Sequence, residues 1–258
     1  MTKRVLVLLS MILLLSFTGQ SFAADAFLIN SDGKILSIDS SNYGENMRVL
    51  VEKDASQYFY ILNNKVEVLP LQLGEGDYSI KILENIEGNR YRVVSKKTIF
   101  VPEFNQNESF LVSAQPVYWR EGQATKLAMD LTREDVETKQ KVNSIYNYII
   151  KNIAYDYNKA AALTDDYVPN IEETLNIKSG ICYDYAALMA GMLRSLGIPT
   201  KLVKGYKNDL EIYHAWNEVL IEDKWVIIDT TYDAAFVKAN IATSMIKPNS
   251  EYNKVREY

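Results

Sequence analysis

The stretch Ser179-Gly180-Ile181-Cys182-Tyr183-Asp184-Tyr185-Ala186 opens an apolar segment carrying Leu188, Met189, Met192, Leu193 and Leu196, which halts at Gly197-Ile198-Pro199. Apolar side chains three and four positions apart share one helix face, so the spacing predicts a helix from about Tyr183 to Leu196. Glycine accepts the left-handed conformation that closes a helix, and proline prevents its continuation. Cys182 stands where this helix begins. A thiol there lies beside unsatisfied N–H groups and the positive end of the helix dipole, which favour thiolate over thiol. A lone cysteine more often serves as a small buried hydrophobe, so position by itself does not make a nucleophile.

Working outward toward the C-terminus, Thr200 to Tyr206, Tyr213 to Ile221 and Lys224 to Thr230 read as strands. Helices followed by an antiparallel sheet make an α+β arrangement. His214 opens the middle strand and Asp229 closes the third. With Glu222-Asp223 as a two-residue turn, Ile221 faces Lys224, Trp216 faces Asp229 and His214 faces Thr231. Alternation then puts His214, Trp216, Asp229 and Thr231 on one side, with His214 and Asp229 diagonal neighbours about 7 Å apart. The carboxylate can hold one imidazole nitrogen while the other faces a sulfur supplied by the helix, which is the nucleophile, base and orienter logic of a thiol triad.

Toward the N-terminus, Val142, Ile145, Tyr146 and Ile149 continue the helical period behind a capping signature at Thr132-Arg133-Glu134-Asp135, so a catalytic domain spans residues 132–258. Residues 118–131 read as a connector. Residues 24–117 carry short runs rich in Val, Ile, Tyr and Phe at Met47 to Glu52, Gln57 to Leu62, Lys65 to Leu69, Tyr78 to Leu83 and Tyr91 to Val101. Asn63-Asn64 and Glu87-Gly88-Asn89 suit hairpin turns. This regular spacing predicts a small all-β sandwich, either a stabilising module or one that binds a surface or substrate polymer. Residues 1–23 have the pattern of a signal peptide: basic Lys3-Arg4, an apolar run from Val5 to Phe17, and Ser21-Phe22-Ala23. The expected location is secreted or cell-surface.

The composition excludes several functions. One cysteine and one histidine in 258 residues cannot close an intramolecular disulfide or supply the four ligands of a structural zinc site, and no EF-hand spacing is present. No metal and no cofactor are expected. Without residues 1–23 the chain has 26 basic against 33 acidic residues, a net −7. An acidic chain without a basic cluster predicts no nucleic-acid partner and no membrane partner for the mature form.

Gly180-x-Cys182, Ala186, Leu193-Arg194-x-x-Gly197-Ile198-Pro199, Gly205-Tyr206, His214-Ala215-Trp216-x-Glu218-Val219 and Trp225-x-x-x-Asp229-x-Thr231 together resemble the core of the transglutaminase-like superfamily, over roughly residues 135 to 235. The resemblance implies a papain-like fold and a Cys182, His214, Asp229 triad acting on a protein or peptide substrate, including cell-wall peptide. It also implies Tyr155 as an oxyanion-hole candidate beside the backbone N–H of Cys182. Tyr183, Tyr213 and Trp216 are candidates for lining the substrate cleft. Two positions depart from the pattern: Thr230 replaces the usual proline, and the arginine after Ile-Pro-x is displaced to Lys201 or Lys204. The expected chemistry is amide hydrolysis or acyl transfer, the alternative a non-catalytic scaffold that retains the fold.

Overall fold

The computed structural model describes residues 13–15, 27–29 and 33–258. Apart from residues 13–15, the proposed signal peptide lies outside the described residues. Two compact units divide the chain, Met1–Phe104 and Asn105–Tyr258.

In the first unit, β1 (Leu13–Leu15), β4 (Met47–Lys53), β5 (Ser56–Ile61), β7 (Gly76–Glu87) and β8 (Arg90–Val101) form a sheet in the order β1-β8-β7-β4-β5. A second sheet has the order β2-β3-β6, from β2 (Phe27–Ile29), β3 (Ile35–Asp39) and β6 (Val66–Pro70). Side chains two apart share a face, and Tyr78, Ile80 and Ile82 on β7, with Leu36 and Ile38 on β3, are all buried. The Tyr78 hydroxyl donates to the Leu71 carbonyl just past β6, tying the two sheets together. Glu87-Gly88-Asn89 is the hairpin expected, with Gly88 at φ 52°. Asn63-Asn64 is not a hairpin turn: β5 and β6 belong to different sheets, so these asparagines carry the chain from one to the other.

The second unit begins before residue 118. Arg194 donates to the Val112 carbonyl, and Trp119 packs on the helical core, so residues 105–117 fold with the helices rather than with the strands of the first unit. The expected connector contains a helix, α1 (Gln123–Leu131). Its first N–H groups are taken by the Glu172 carboxylate, which bonds Gln123 N and Ala124 N at 3.0 and 3.1 Å. Thr132 closes α1 by donating to the Ala128 carbonyl, so it does not start the next helix. That helix, α2 (Thr138–Asn152), is capped at Glu137, whose N–H bonds the Gln140 side chain.

The short parallel pair β9 (Ala154–Tyr155) and β10 (Ser179–Gly180) encloses α3 (Tyr157–Ala161) and α4 (Ile171–Ile177), and leads into α5 (Cys182–Ser195). From Asp184 to Arg194 every residue of α5 is buried, as a helix wrapped on all sides requires. It packs on a four-stranded antiparallel sheet ordered β13-β12-β11-β14, from β11 (Thr200–Lys207), β12 (His214–Ile221), β13 (Lys224–Ile228) and β14 (Tyr252–Glu257). Asn217 on β12 fastens the two layers by donating to the Ala186 carbonyl at 2.9 Å. The β12–β13 register matches the expectation, with Ile221 opposite Lys224. Its third strand ends at Ile228, because α6 (Thr230–Lys238) follows at once with Asp229 as its N-cap. Thr231 therefore lies in a helix and does not face His214.

Candidate active site

Cys182 is half-buried at the first position of α5, where its N–H has no intrahelical acceptor. The neighbouring carboxylate, Asp184, is fully buried and folds back to accept the Ile181 N–H at 2.8 Å. It also accepts the Tyr167 hydroxyl and pairs with Lys159 at 2.8 Å. Gly180 is needed here for space: a Cβ on it would lie 2.6 Å from the Asp184 Cβ. Because Gly180 pairs with Tyr155 across β10 and β9, the same backbone contact that sets the cysteine brings Tyr155 beside it.

From the sheet side, His214 Nε2 lies 2.7 Å from Asp229 Oδ2, both residues being buried. The carboxylate is itself held: Oδ1 accepts the Tyr232 N–H of α6 at 3.0 Å, and Oδ2 also accepts the Tyr252 hydroxyl at 3.0 Å. With Nε2 engaged by Asp229, the imidazole has its other nitrogen left for Cys182, whose sulfur acts on the ring to raise its basicity. Burial opposes a charge on His214, but the Asp229 carboxylate and the Cys182 sulfur outweigh it and raise the imidazole to about 10. The hairpin and the N-cap thus join His214 to Asp229, and Cys182 at the head of α5 acts on the same imidazole.

Trp216, expected in the cleft, is 1% exposed. It stacks near-parallel behind His214 at 6.3 Å and touches the Tyr252 ring at 5.0 Å, so it is a wall of the imidazole's seat. Gly205 makes room for it, since a Cβ there would meet the Trp216 ring at 2.8 Å and the Asn253 carbonyl at 2.1 Å. Tyr183 packs edge-on to Tyr167, with the Lys204 ammonium 3.4 Å from its ring centre. Tyr213 is 45% exposed and packs on Tyr206. None of these three lines the groove of about 800 Å³ that opens beside His214. Tyr155 does line it. Burial, and then charge on Cys182, raise the Tyr155 phenol above its ordinary value, and its hydroxyl makes no hydrogen bond among the described residues. Among the described residues no group of three His, Cys, Asp or Glu is placed to hold a metal ion.

Tyr252 was not foreseen. It lies 23 residues past Asp229 on a strand whose sequence, Tyr-Asn-Lys-Val-Arg-Glu, has the mixed polarity of a sheet edge and no spacing tied to the histidine. Lys204 was noted only as a displaced basic residue. It is largely withdrawn from water, which lowers its ammonium to about 8 against an opposing pull from Cys182.

Residues 125–230 match the family model of the transglutaminase-like superfamily. The chain carries a transglutaminase-like domain. Kyphoscoliosis peptidase from Mus musculus is 29% identical over 140 residues, covering 50% of this chain and 21% of that protein. The human protein is 28% identical over 145 residues, covering 52% and 22%. The chain thus spans about a fifth of the length of these curated relatives. Among solved structures, the periplasmic domain of TgpA from Pseudomonas aeruginosa is 17% identical with a TM-score of 0.43, covering 86% of this chain and 99% of that one. The transglutaminase-like match ends at residue 230, so Tyr252 and most of α6 lie beyond it. No helix among the described residues is long and apolar enough to cross a membrane.

Proposed function

We propose that the chain is an exported cysteine-dependent amide hydrolase or acyl transferase acting on protein or cell-wall peptide, with Cys182 as nucleophile, His214 as acid and base, and Asp229 as orienter. The observation that carries this reading is the 2.7 Å bond from the buried His214 to the buried Asp229, with the half-buried Cys182 at the head of α5. The Cys182 sulfur attacks the amide carbonyl carbon, and its electron pair forms the C–S bond. The C–N bond then breaks as His214 gives its proton to the departing amine. Water, or a second amine, attacks the thioester while the imidazole takes its proton, and the sulfur leaves. The Cys182 N–H and the unengaged Tyr155 hydroxyl are suited to stabilise the oxyanion. Export rests on the sequence pattern of residues 1–23.

Alkylation of Cys182 followed against pH tests the first step. The rate is expected to report a thiolate well below the free-cysteine value of about 8.5, and to lose that behaviour in His214→Ala. A Cys182 that stays inert, or titrates as a free thiol with or without His214, would remove the enzyme reading. Mass analysis of wild type and Cys182→Ala with peptides and a labelled amine separates hydrolysis from transfer.

A further inference from the structure

The groove beside His214 is walled by the end of α2, by β9, by α6 and by the loop before β12. Its lining includes Leu210, Ile212, Ala235 and Val237, and Ile212 is left 59% exposed. The charged residues in its lining are Lys151 and Lys238; both are exposed and neither has an ion-pair partner among the described residues. No carboxylate lines it, in a chain whose overall charge is −5. Its walls include His214 and Tyr155 but not Cys182.

Placement relative to the two reacting groups gives the groove a direction. In amide cleavage the acyl carbon stays on the sulfur, while the nitrogen must meet the imidazole to receive its proton. A cavity that contains the imidazole and excludes the sulfur lies on the amine side. We infer that this groove seats the amine portion of the substrate: a peptide segment with an apolar side chain directly after the scissile amide, followed by a carboxylate that reaches Lys151 and Lys238. Apolar walls with a few convergent charges are the usual construction of a specific peptide pocket. The inference rests on the proposed acyl-transfer chemistry for its direction. The acceptor of the thioester, water or amine, enters by the same route after the first product leaves.

Two measurements test it separately from the chemistry. The peptide Leu-Glu-Glu, with a free amine and a C-terminal fluorophore, is titrated onto Cys182→Ala protein. Wild type is assayed on peptide amides that carry Leu or Gly after the scissile bond. The expected results are saturable binding, weakened at least tenfold by Ala235→Trp or Val237→Trp and severalfold by Lys151→Glu with Lys238→Glu. A preference of at least tenfold for Leu over Gly should collapse in either tryptophan variant. Two groove-filling variants are used so that misfolding of one, checked by its thermal midpoint, leaves the other to decide. Turnover indifferent to the residue after the amide and to both tryptophans overturns the groove assignment and leaves the enzyme reading standing. Saturable, tryptophan-sensitive binding without turnover overturns the enzyme reading and leaves the groove a peptide site. Absence of both overturns both.

Discussion

Two buried aspartates stand at the starts of two helices, and each is held in nearly the same way. Asp184 accepts a backbone N–H at the head of α5, a tyrosine hydroxyl from Tyr167 and a cationic partner, Lys159. Asp229 accepts a backbone N–H at the head of α6, a tyrosine hydroxyl from Tyr252 and a cationic partner, His214. A lysine ammonium is a fixed positive charge near neutral pH, so the first cluster can only fix a place, the spot where the sulfur stands. An imidazole can give its proton away, so under the proposed function the same construction serves chemistry in the second. Exchanging lysine for histidine in an otherwise matched setting would then separate a foundation from a reacting group.

The effects of removing the charge at each aspartate should therefore be told apart by turnover. Asp229→Asn is expected to lower turnover by about 10⁴-fold, the scale seen when an orienting carboxylate is neutralised, and to lower the thermal midpoint as well, because it withdraws the charge that raises His214. Asp184→Asn leaves Lys159 without its buried counter-ion and should cost about 3 kcal/mol of stability, with turnover in the folded fraction within tenfold of wild type. Denaturant titration beside single-turnover kinetics checks both, and a folded Asp184→Asn as inactive as Asp229→Asn would erase the distinction.

The glycines behind the two clusters come next. Gly180→Ala drives a methyl into Asp184, and Gly205→Ala drives one into Trp216 and the Asn253 carbonyl. Each should cost about 1–3 kcal/mol as the neighbours shift. Gly180→Ala is expected to slow Cys182 alkylation, and Gly205→Ala to act through the histidine side instead.

A pH series sharpens the contrast further. The His214 imidazole is raised to about 10 in the folded chain, above its ordinary 6.5. A group raised on folding stabilises fully below its unfolded value and loses that contribution as pH climbs toward the folded one. The thermal midpoint of wild type over His214→Gln should thus be largest below pH 6.5 and shrink toward pH 10. The smallest effect belongs to Tyr252→Phe, which deletes one of three bonds to Asp229. Turnover should fall severalfold with stability nearly unchanged, and an unaltered pH–rate profile would show that Tyr252 only fills space.

Much of this was readable in the chain because the deciding contacts are local. The β12–β13 register follows from a two-residue turn, and Glu222 and Asp223 take the positive φ values, 50° and 60°, that such a turn demands. The start of α5 and its stop at Gly197 are equally local, with Gly197 at φ 76°. The errors have physical reasons. Thr230 and Thr231 are β-branched and extend the look of a strand, whereas Asp229 caps a helix there. Trp216 shares a face with His214 as alternation requires, but it is buried there among Val203, Ile227 and the ring of Tyr252, which β14 adds at the edge of the same sheet from more than 40 residues past β11. Nothing in a two-residue period says which distant side chain will cover a face.

Between α6 and β14 the chain runs through residues 239–248, largely exposed and without helix or ladder strand. The final bond to Asp229 is delivered across this tether, by a strand docked edgewise rather than threaded through the core. The site is in that sense a lock whose last pin hangs on a separate arm. Peeling β14 from β11, by a competing strand or by a cut in the tether, would leave Cys182, His214 and Asp229 covalently in place while taking from Asp229 the Tyr252 hydroxyl and from Trp216 the ring packed on it.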